Sequence, residues 1–202
     1  MTFALIPAAG KSLRMGRPKL SLLLGSQSVL ELVVRALRDA GVEQTLVVVG
    51  PHVPELVPLA EKPGAQVLLL AQETADMRAT VEAGLRWLED HWQPRADDTW
   101  LLVPGDHPTL EPGVVRQLLA MHAQHPHPSI VLPTYQGKRG HPTLIGWRHV
   151  EEIRRLEPGL GLNAYLRGHA RETLEVPWDS AAVLCDLDTP EDYERLWRSW
   201  PA

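Results

Sequence analysis

Four cationic side chains lie close together near the amino terminus, directly after an apolar segment, residues 3–7. Within nine consecutive positions the sequence places Lys11, Arg14, Arg17 and Lys19. Cations at this spacing repel one another unless an anion lies among them or water screens them. Residues 8–10, just before them, are Ala, Ala and Gly, so the backbone can approach a ligand closely and offer its N–H groups. This arrangement predicts a loop that binds the phosphates of a nucleoside triphosphate.

Spacing excludes two common phosphate-binding loops. A Walker loop has a glycine five positions before its Gly-Lys-Ser, and Leu5 stands at that position. The dinucleotide-binding pattern G-x-G-x-x-G fails because Ser12 and Met15 stand where its later glycines belong. Gly10 and Gly16 are expected to supply the positive φ angles of the loop. The alternative is a solvated basic loop without a ligand.

A carboxylate follows the apolar segment 99–104. Asp106 lies between Gly105 and His107-Pro108, at the predicted carboxyl end of a strand. Mg²⁺ prefers hard oxygen ligands and takes one or two of them from the protein. Asp106 is therefore a candidate metal ligand. Alternatively, it caps a turn or the following helix.

Two further carboxylates lie close to the carboxyl terminus. Asp186 lies near the end of a predicted strand over 182–187 and Asp188 directly follows it, so alternation predicts that they point to the same face. Glu191 and Asp192 follow in the first turn of a predicted helix, where acids interact favourably with the helix dipole. We therefore expect Asp188 to bind metal, and Asp186 is the second candidate. Glu191 and Asp192 are expected to stabilise the start of the helix.

A glycine-bounded turn over 137–140 leads into another predicted strand. Lys138 and Arg139 could meet an anionic acceptor, and His141 could orient it. A hairpin turn and a hydrogen-bonded structural histidine are the alternatives. The nine histidines otherwise show no spacing typical of a metal site.

Apolar segments predict strands that alternate with helices, the pattern of an α/β sheet covered on both faces. The second to fourth strands are nearly continuous in apolar residues, which predicts burial on both sides. The predicted strands are 3–7, 44–49, 66–71, 99–104, 129–133, 142–146, 172–177 and 182–187. The predicted helices are 28–40, 53–61, 77–92, 112–124, 147–155, 161–168 and 190–199.

Composition narrows the possible classes of protein. A chain of 202 residues with 44% hydrophobic and 22% charged residues predicts one domain, 1–202, with a sizeable core. The net charge of -5 argues against general nucleic-acid binding. The single cysteine cannot form an intramolecular disulfide, and neither a signal peptide nor a membrane-spanning run is recognisable. A cytoplasmic location is the expectation.

The loop motif, P-A-A-G-K-S-L-R-M-G-R-P-K over 7–19, resembles the first motif of the molybdenum cofactor cytidylyltransferases. The segments D-H-P from Asp106, G-K-R-G-H-P-T-L from Gly137 and D-L-D-T-P-E-D-Y from Asp186 are similar to later motifs of that family, in the same order. The resemblance implies a Rossmann-like three-layer α/β/α sandwich with a mostly parallel mixed sheet, of the nucleotide-diphospho-sugar transferase type. Cytidine is favoured over guanosine because the related guanylyltransferases carry a second glycine where Ala9 stands.

The resemblance also implies roles for single residues. Arg14, Lys19 and Asp106 become the catalytic candidates, Asp106, Asp188 and Asp186 the Mg²⁺ ligands, and Arg139 and His141 the acceptor contacts. The nucleotide is expected to contact Pro7, Ala8, Ala9, Gly10, Lys11, Arg14, Lys19, Thr80 and Asp106.

The chain departs from the family pattern in two segments. Residues 75–81, Ala-Asp-Met-Arg-Ala-Thr-Val, replace a glycine- and serine-containing segment that lines the base in the family. Asn163 stands where the family commonly has an arginine, which removes a candidate acceptor contact. The base and the acceptor are therefore less strongly indicated than the phosphate site.

The resemblance implies transfer of CMP from CTP to a phosphorylated small molecule, the molybdopterin cofactor, with release of pyrophosphate. Contact with a molybdoenzyme or its chaperone would follow, without nucleic acid or membrane as partner. A sugar-phosphate nucleotidyltransferase that uses another NTP is one alternative. A non-catalytic nucleotide-binding accessory protein is the other.

Overall fold

Strands and helices alternate along the chain, as the hydrophobic pattern predicts. A computed structural model describes residues 1–125, 127–157 and 159–200. Its strands are β1 Thr2–Ala8, β2 Leu23–Leu24, β3 Gln27–Ser28, β4 Gln44–Val49, β5 Gln66–Leu69, β6 Thr99–Leu102, β7 Ile130–Tyr135, β8 Lys138–Arg139, β9 Thr143–Gly146 and β10 Thr173–Pro177. Its helices are α1 Val29–Asp39, α2 Leu56–Glu61, α3 Met77–Trp92, α4 Pro112–Gln124, α5 Val150–Arg154, α6 Leu162–Gly168 and α7 Pro190–Ser199.

One mixed sheet forms the centre of the fold. Its strands run in the order β10-β7-β9-β6-β1-β4-β5, and β8 pairs with β7. The pairs β1–β4, β4–β5, β1–β6 and β7–β10 are parallel, whereas β9 lies antiparallel to β6 and β7. Since β1 continues to β4 on one side and to β6 on the other, strand order reverses there, and ligands of open α/β sheets bind beside such a point.

Apolar residues cover both faces of the sheet. Side chains of β1 alternate between the faces: Ala4 and Ile6 join one buried cluster with α1, α2 and α4, and Phe3 and Leu5 join a second with α3, α5 and α6. The two clusters make the three layers α/β/α. The predicted fold class, a Rossmann-like sandwich with a mostly parallel mixed sheet, is confirmed.

Helix α3 lies especially close to the sheet because of Gly84. A Cβ atom at this position would lie 2.4 Å from Leu5 Cδ1 and 2.9 Å from Val48 Cγ2. The amino-terminal end of α3 is thereby fixed beside the ends of β1 and β4, where the candidate site lies.

The prediction of a strand over 182–187 is wrong. A short 3₁₀ segment, Ala181–Leu184, stands there, and an extended loop carries the chain on to α7. Strand β5 also differs from expectation, because it is the sheet edge and is partly exposed rather than buried on both faces. The hydrophobic pattern did not reveal the small hairpin of β2 and β3 or the short strand β8. Within the described part of the chain, no helix is long and apolar enough to cross a membrane.

Replacement of Gly84 by alanine tests this close packing. We expect Gly84→Ala to lower the free energy of unfolding by about 1–3 kcal/mol, the usual cost of overpacking a core. Gly113→Ala in α4 is the matched control, since its Cβ would meet only the Trp178 side chain at 3.4 Å. Urea unfolding of both variants measures the difference, and equal stability of the two would contradict the packing described.

Candidate active site

A cleft of about 640 Å³ opens at the carboxyl ends of β1, β4, β5 and β6. It lies beside the point at which strand order reverses, where an α/β sheet holds its ligands. Every residue predicted to contact a nucleotide lines this cleft: Pro7, Ala8, Ala9, Gly10, Lys11, Arg14, Lys19, Thr80 and Asp106.

The loop after β1 folds back on itself and is fastened by apolar side chains. Ser12 takes a φ of 49°, and its carbonyl accepts hydrogen bonds from the N–H groups of Met15 at 3.0 Å and Gly16 at 3.1 Å. The side chains of Met15 and Leu20 are buried in the core. The loop therefore has a defined shape that presents its small residues to the cleft. Gly16 has the expected positive φ, whereas Ser12 rather than Gly10 supplies the other.

Three of the four loop cations line the cleft: Lys11, Arg14 and Lys19. Arg17 points elsewhere, because its guanidinium carbon lies 5.2 Å from the ring centre of Tyr193, in cation–π contact with α7. The expectation that all four cations need an anion is therefore too broad.

The ammonium of Lys19 lies between two carboxylates at the floor of the cleft. It donates to Asp106 Oδ2 and, at 3.0 Å, to Asp188 Oδ1. The guanidinium of Arg14 reaches the same Asp188 oxygen at 3.0 Å. Burial alone would lower the pKa of Lys19, but the attraction of Asp106 and then of Asp188 outweighs it, and the pKa is raised. Two basic side chains of one loop and two aspartates from distant parts of the chain thus form one charged centre.

The segment that carries Asp188 is positioned by remote backbone contacts. The N–H of Leu187 donates to the carbonyl of Asp106 at 2.9 Å, and the N–H of His141 donates to the carbonyl of Val183 at 2.8 Å. A Cβ at Gly140 would lie 2.4 Å from that Val183 oxygen, so the close approach requires glycine. These contacts hold the 181–188 segment against the β6 end of the sheet.

Asp186 and Asp188 do not share a strand face, because no strand is present over these described residues. Asp188 lines the cleft beside Asp106, and Asp186 does not. Asp186 is still near both carboxylates: loss of hydration raises its pKa, and the negative charge of Asp106 raises it further.

The opposite wall of the cleft includes residues that the sequence motifs did not reveal. Lys11 Nζ lies 2.8 Å from Glu73 Oε2, and the other oxygen of Glu73 lies 3.7 Å from His52 Nδ1. Glu73 follows β5 and His52 follows β4, so the rule that ligands lie at carboxyl ends of parallel strands would have found both. The contact of Lys11 with Glu73 joins the two rims of the cleft.

The start of α3 completes this wall. Asp76 caps the helix, since its Oδ1 accepts from the N–H of Ala79 at 2.8 Å. The hydroxyls of Thr74 and Thr80 lie 2.6 Å apart. Thr74 lines the cleft, and so do Asp76, Met77 and Thr80 of the segment 75–81 that departs from the family pattern.

The two predicted acceptor contacts are not among the described residues that line the cleft. Arg139 Nε lies 2.8 Å from Glu175 Oε1 at the surface. His141 packs edge-on against His107, with ring centres 6.3 Å apart. Burial, and to a smaller degree His107, lowers the pKa of His141 to about 4. Their role in acceptor binding stays a prediction.

The fold and the cleft together define an α/β protein with a charged centre at the carboxyl ends of its strands, the place where such sheets bind their ligands. The family model for the MobA-like NTP transferase domain matches residues 4–174, and the chain belongs to this family of nucleotidyltransferases. Among curated proteins, the sequence comparison gives no significant match.

Solved structures with the same fold cover nearly the whole chain. Rv0371c from Mycobacterium tuberculosis H37Rv is 24% identical to this chain, with a TM-score of 0.80. The match covers 98% of this chain and 97% of Rv0371c. Rv0371c has also been solved in complex with manganese. The nucleotidyl transferase Mth528 from Methanothermobacter thermautotroptrophicus is 22% identical, with a TM-score of 0.77 and coverage of 99% and 97%. A 4-diphosphocytidyl-2C-methyl-D-erythritol synthase is 19% identical, with a TM-score of 0.74 and coverage of 98% and 96%. At these identities the likeness shows the fold.

The low pKa of His141 predicts an acid sensitivity. A histidine with a pKa of about 4 in the folded state and an ordinary value of 6.5 in the unfolded chain binds fewer protons when folded. Its contribution to stability is therefore complete above pH 6.5 and is lost as pH falls toward 4. We expect His141→Gln to remove about 2 kcal/mol of the stability that the protein loses between about pH 7 and pH 5.

Urea unfolding at several pH values measures this effect. His91→Gln, at an exposed histidine of α3, is the control that should keep the pH dependence of the unsubstituted protein. Superimposable pH dependences for His141→Gln and the unsubstituted protein would show that His141 is not held neutral.

Proposed function

We propose that this protein, as one nucleotidyltransferase domain over 1–202, transfers CMP from CTP to a phosphorylated small molecule, the molybdopterin cofactor. The observation that carries the proposal is the convergence of Lys19, Asp106 and Asp188 in a cleft lined by a small-residue loop. Membership of the MobA-like family supports the reaction class. The match of the loop to the cytidylyltransferase motif supports CTP and this acceptor.

In this reaction an oxygen of the acceptor phosphate attacks the α-phosphorus of CTP. A new P–O bond forms, the bond from the α-phosphorus to the bridging oxygen breaks, and pyrophosphate leaves with that electron pair. No covalent intermediate on the protein is needed. The work of the protein is to hold the two reactants in line and to stabilise the charge on the phosphate oxygens.

The loop supplies the groups for this work. Backbone N–H groups of Ala8 to Gly10 can approach the triphosphate because no large side chain covers them. Asp188 and Asp106 hold Arg14 and Lys19 in the cleft, and a metal ion that takes the two carboxylates would free Lys19 to bind the phosphates.

We propose Asp106 and Asp188 as ligands of Mg²⁺, with Asp186 as a further candidate. The residues fit a cation, because the Lys19 ammonium already lies between the two carboxylates. When bound, Mg²⁺ would polarise the phosphate oxygens as a Lewis acid and neutralise their charge. The manganese complex of Rv0371c supports a divalent ion at this site and does not distinguish Mg²⁺ from Mn²⁺.

We propose that Arg139 and His141 bind the phosphorylated acceptor. Arg139 is exposed and paired with Glu175, so an anionic acceptor would have to compete for its guanidinium. Arg139→Ala should then raise the KM for the acceptor several-fold and leave the KM for CTP unchanged.

Release of pyrophosphate with each of four NTPs, over an acceptor panel that includes molybdopterin and sugar phosphates, tests the substrates. We expect Mg²⁺-dependent release with CTP and molybdopterin above all other pairs. Faster release of pyrophosphate with another NTP and a sugar phosphate would instead indicate a sugar-phosphate nucleotidyltransferase. Nucleotide binding by calorimetry without product would contradict an enzymatic role.

Removal of one carboxylate tests the charged centre itself. We expect Asp106→Asn and Asp188→Asn to lower kcat by about 100-fold or more, because positioned charge supplies most of the rate acceleration. Asp90→Asn, at an exposed position of α3, is the matched control and should retain activity. Circular dichroism checks that all three variants fold, and near-normal kinetics for Asp106→Asn would remove Asp106 from the site.

A further inference from the structure

Two histidines and a glutamate converge on the sheet face opposite to α1, away from the cleft. His149 ends the 3₁₀ segment Trp147–His149, Glu152 lies in α5, and His169 follows α6 directly. One ligand atom from each lies within 4.8 Å of the others. None of the three lines the cleft. Histidine spacing along the chain does not reveal this group, because the second histidine is supplied by a separate helix.

The hydrogen bonds of His149 allow a tautomer that carries its lone pair on Nδ1. Its Nε2 lies 2.5 Å from Ser129 Oγ, and Ser129 Oγ donates its proton to Glu172 Oε2 at 3.2 Å. In the tautomer in which the single serine proton goes to Glu172, His149 Nε2–H is the donor in their shared bond. In this tautomer the neutral ring carries its lone pair on Nδ1, which is the form that a bound metal ion would select.

His169 presents a second lone pair to the same place. Its Nδ1 lies 2.9 Å from the backbone carbonyl oxygen of Tyr165, which can only accept, so Nδ1 carries a proton. In the neutral ring the lone pair is on Nε2, and this atom lies 3.1 Å from Glu152 Oε2. An imidazole nitrogen and a carboxylate oxygen, both acceptors, face each other.

The Tyr165 hydroxyl supplies a single proton to this group. It lies 2.7 Å from His149 Nδ1 and 2.9 Å from Glu152 Oε2. In that tautomer of His149, one proton cannot satisfy three acceptor atoms, so the cluster lacks positive charge at its centre when both histidines are neutral. Either a second proton, on His169, or a metal ion supplies it.

We propose that His149 Nδ1, Glu152 Oε2 and His169 Nε2 bind a divalent transition metal ion of the zinc class. Two imidazoles and one carboxylate are a common ligand set for Zn²⁺, with a fourth position left for water or, here, the Tyr165 oxygen. This donor set favours zinc, cobalt or nickel over Mg²⁺, which prefers oxygen ligands throughout.

The surroundings have the outer hydrogen bonds that orient metal-binding histidines. Such a histidine donates its other ring N–H to a carbonyl or a hydrogen-bonded partner, which fixes its tautomer. His169 does so to the Tyr165 carbonyl, and His149 does so to Ser129, which is held in turn by Glu172. The ion would join the start of α5 to the end of α6, so its role is to stabilise this region rather than to take part in nucleotidyl transfer.

Cobalt binding distinguishes this site from the cleft. Protein freed of metal with EDTA is titrated with Co²⁺ and followed by visible absorption, since nitrogen ligands in tetrahedral geometry give intense bands and all-oxygen sites give weak ones. We expect one equivalent of Co²⁺ with intense bands that Zn²⁺ removes, and a higher melting temperature with Zn²⁺. Asp106→Asn should behave identically, because it changes only the cleft.

His169→Ala and Glu152→Gln should each weaken Co²⁺ binding at least about 10-fold, the effect that even outer-sphere changes produce. Both side chains are partly exposed, so these variants avoid the buried His149. His91→Ala is the matched control and should bind as before. Absence of intense bands, or bands that survive in His169→Ala, would overturn the metal site and leave a protonated His169 as the source of positive charge.

Discussion

The charge balance around Lys19 is the constraint on which the rest of this protein depends. Its ammonium is held by Asp106 and Asp188, and the three side chains are only 17%, 20% and 31% exposed. Charged groups removed from water to this extent require partners, because each is costly to leave unpaired. The loop after β1, the end of β6 and the segment before α7 must therefore meet at one point.

Apolar packing brings these three segments together. Met15 and Leu20 fasten the loop to the core, and a Cβ at Gly105 would crowd Ile6 and Leu20 at 3.2 Å. Gly140 allows the backbone near Val183 to lie against the turn before β9. A rigid sheet with small residues at its polar edge is thus suited to hold charged groups in fixed positions, which is what a reaction at phosphorus requires.

Sequence periodicity predicted most of the fold, because β1, β4 and α3 carry patterns strong enough to define their own ends. The strand prediction over 182–187 failed because two long-range backbone hydrogen bonds place this segment, from Leu187 to Asp106 and from His141 to Val183, and no strand ladder does. Local motifs predicted the nucleotide-facing loop, and Glu73 could have been found from its place after β5, whereas the contact of His149 with His169 is a tertiary contact that no spacing along the chain reveals. The role of each site residue stays a prediction.

Anomalous scattering of manganese in crystals grown with CTP and Mn²⁺ tests the central claim most directly. We expect one manganese peak bridging Asp106, Asp188 and the triphosphate, with Lys19 moved from between the carboxylates onto phosphate oxygens. A nucleotide bound with Lys19 still between Asp106 and Asp188, or a manganese ion away from both carboxylates, would contradict it.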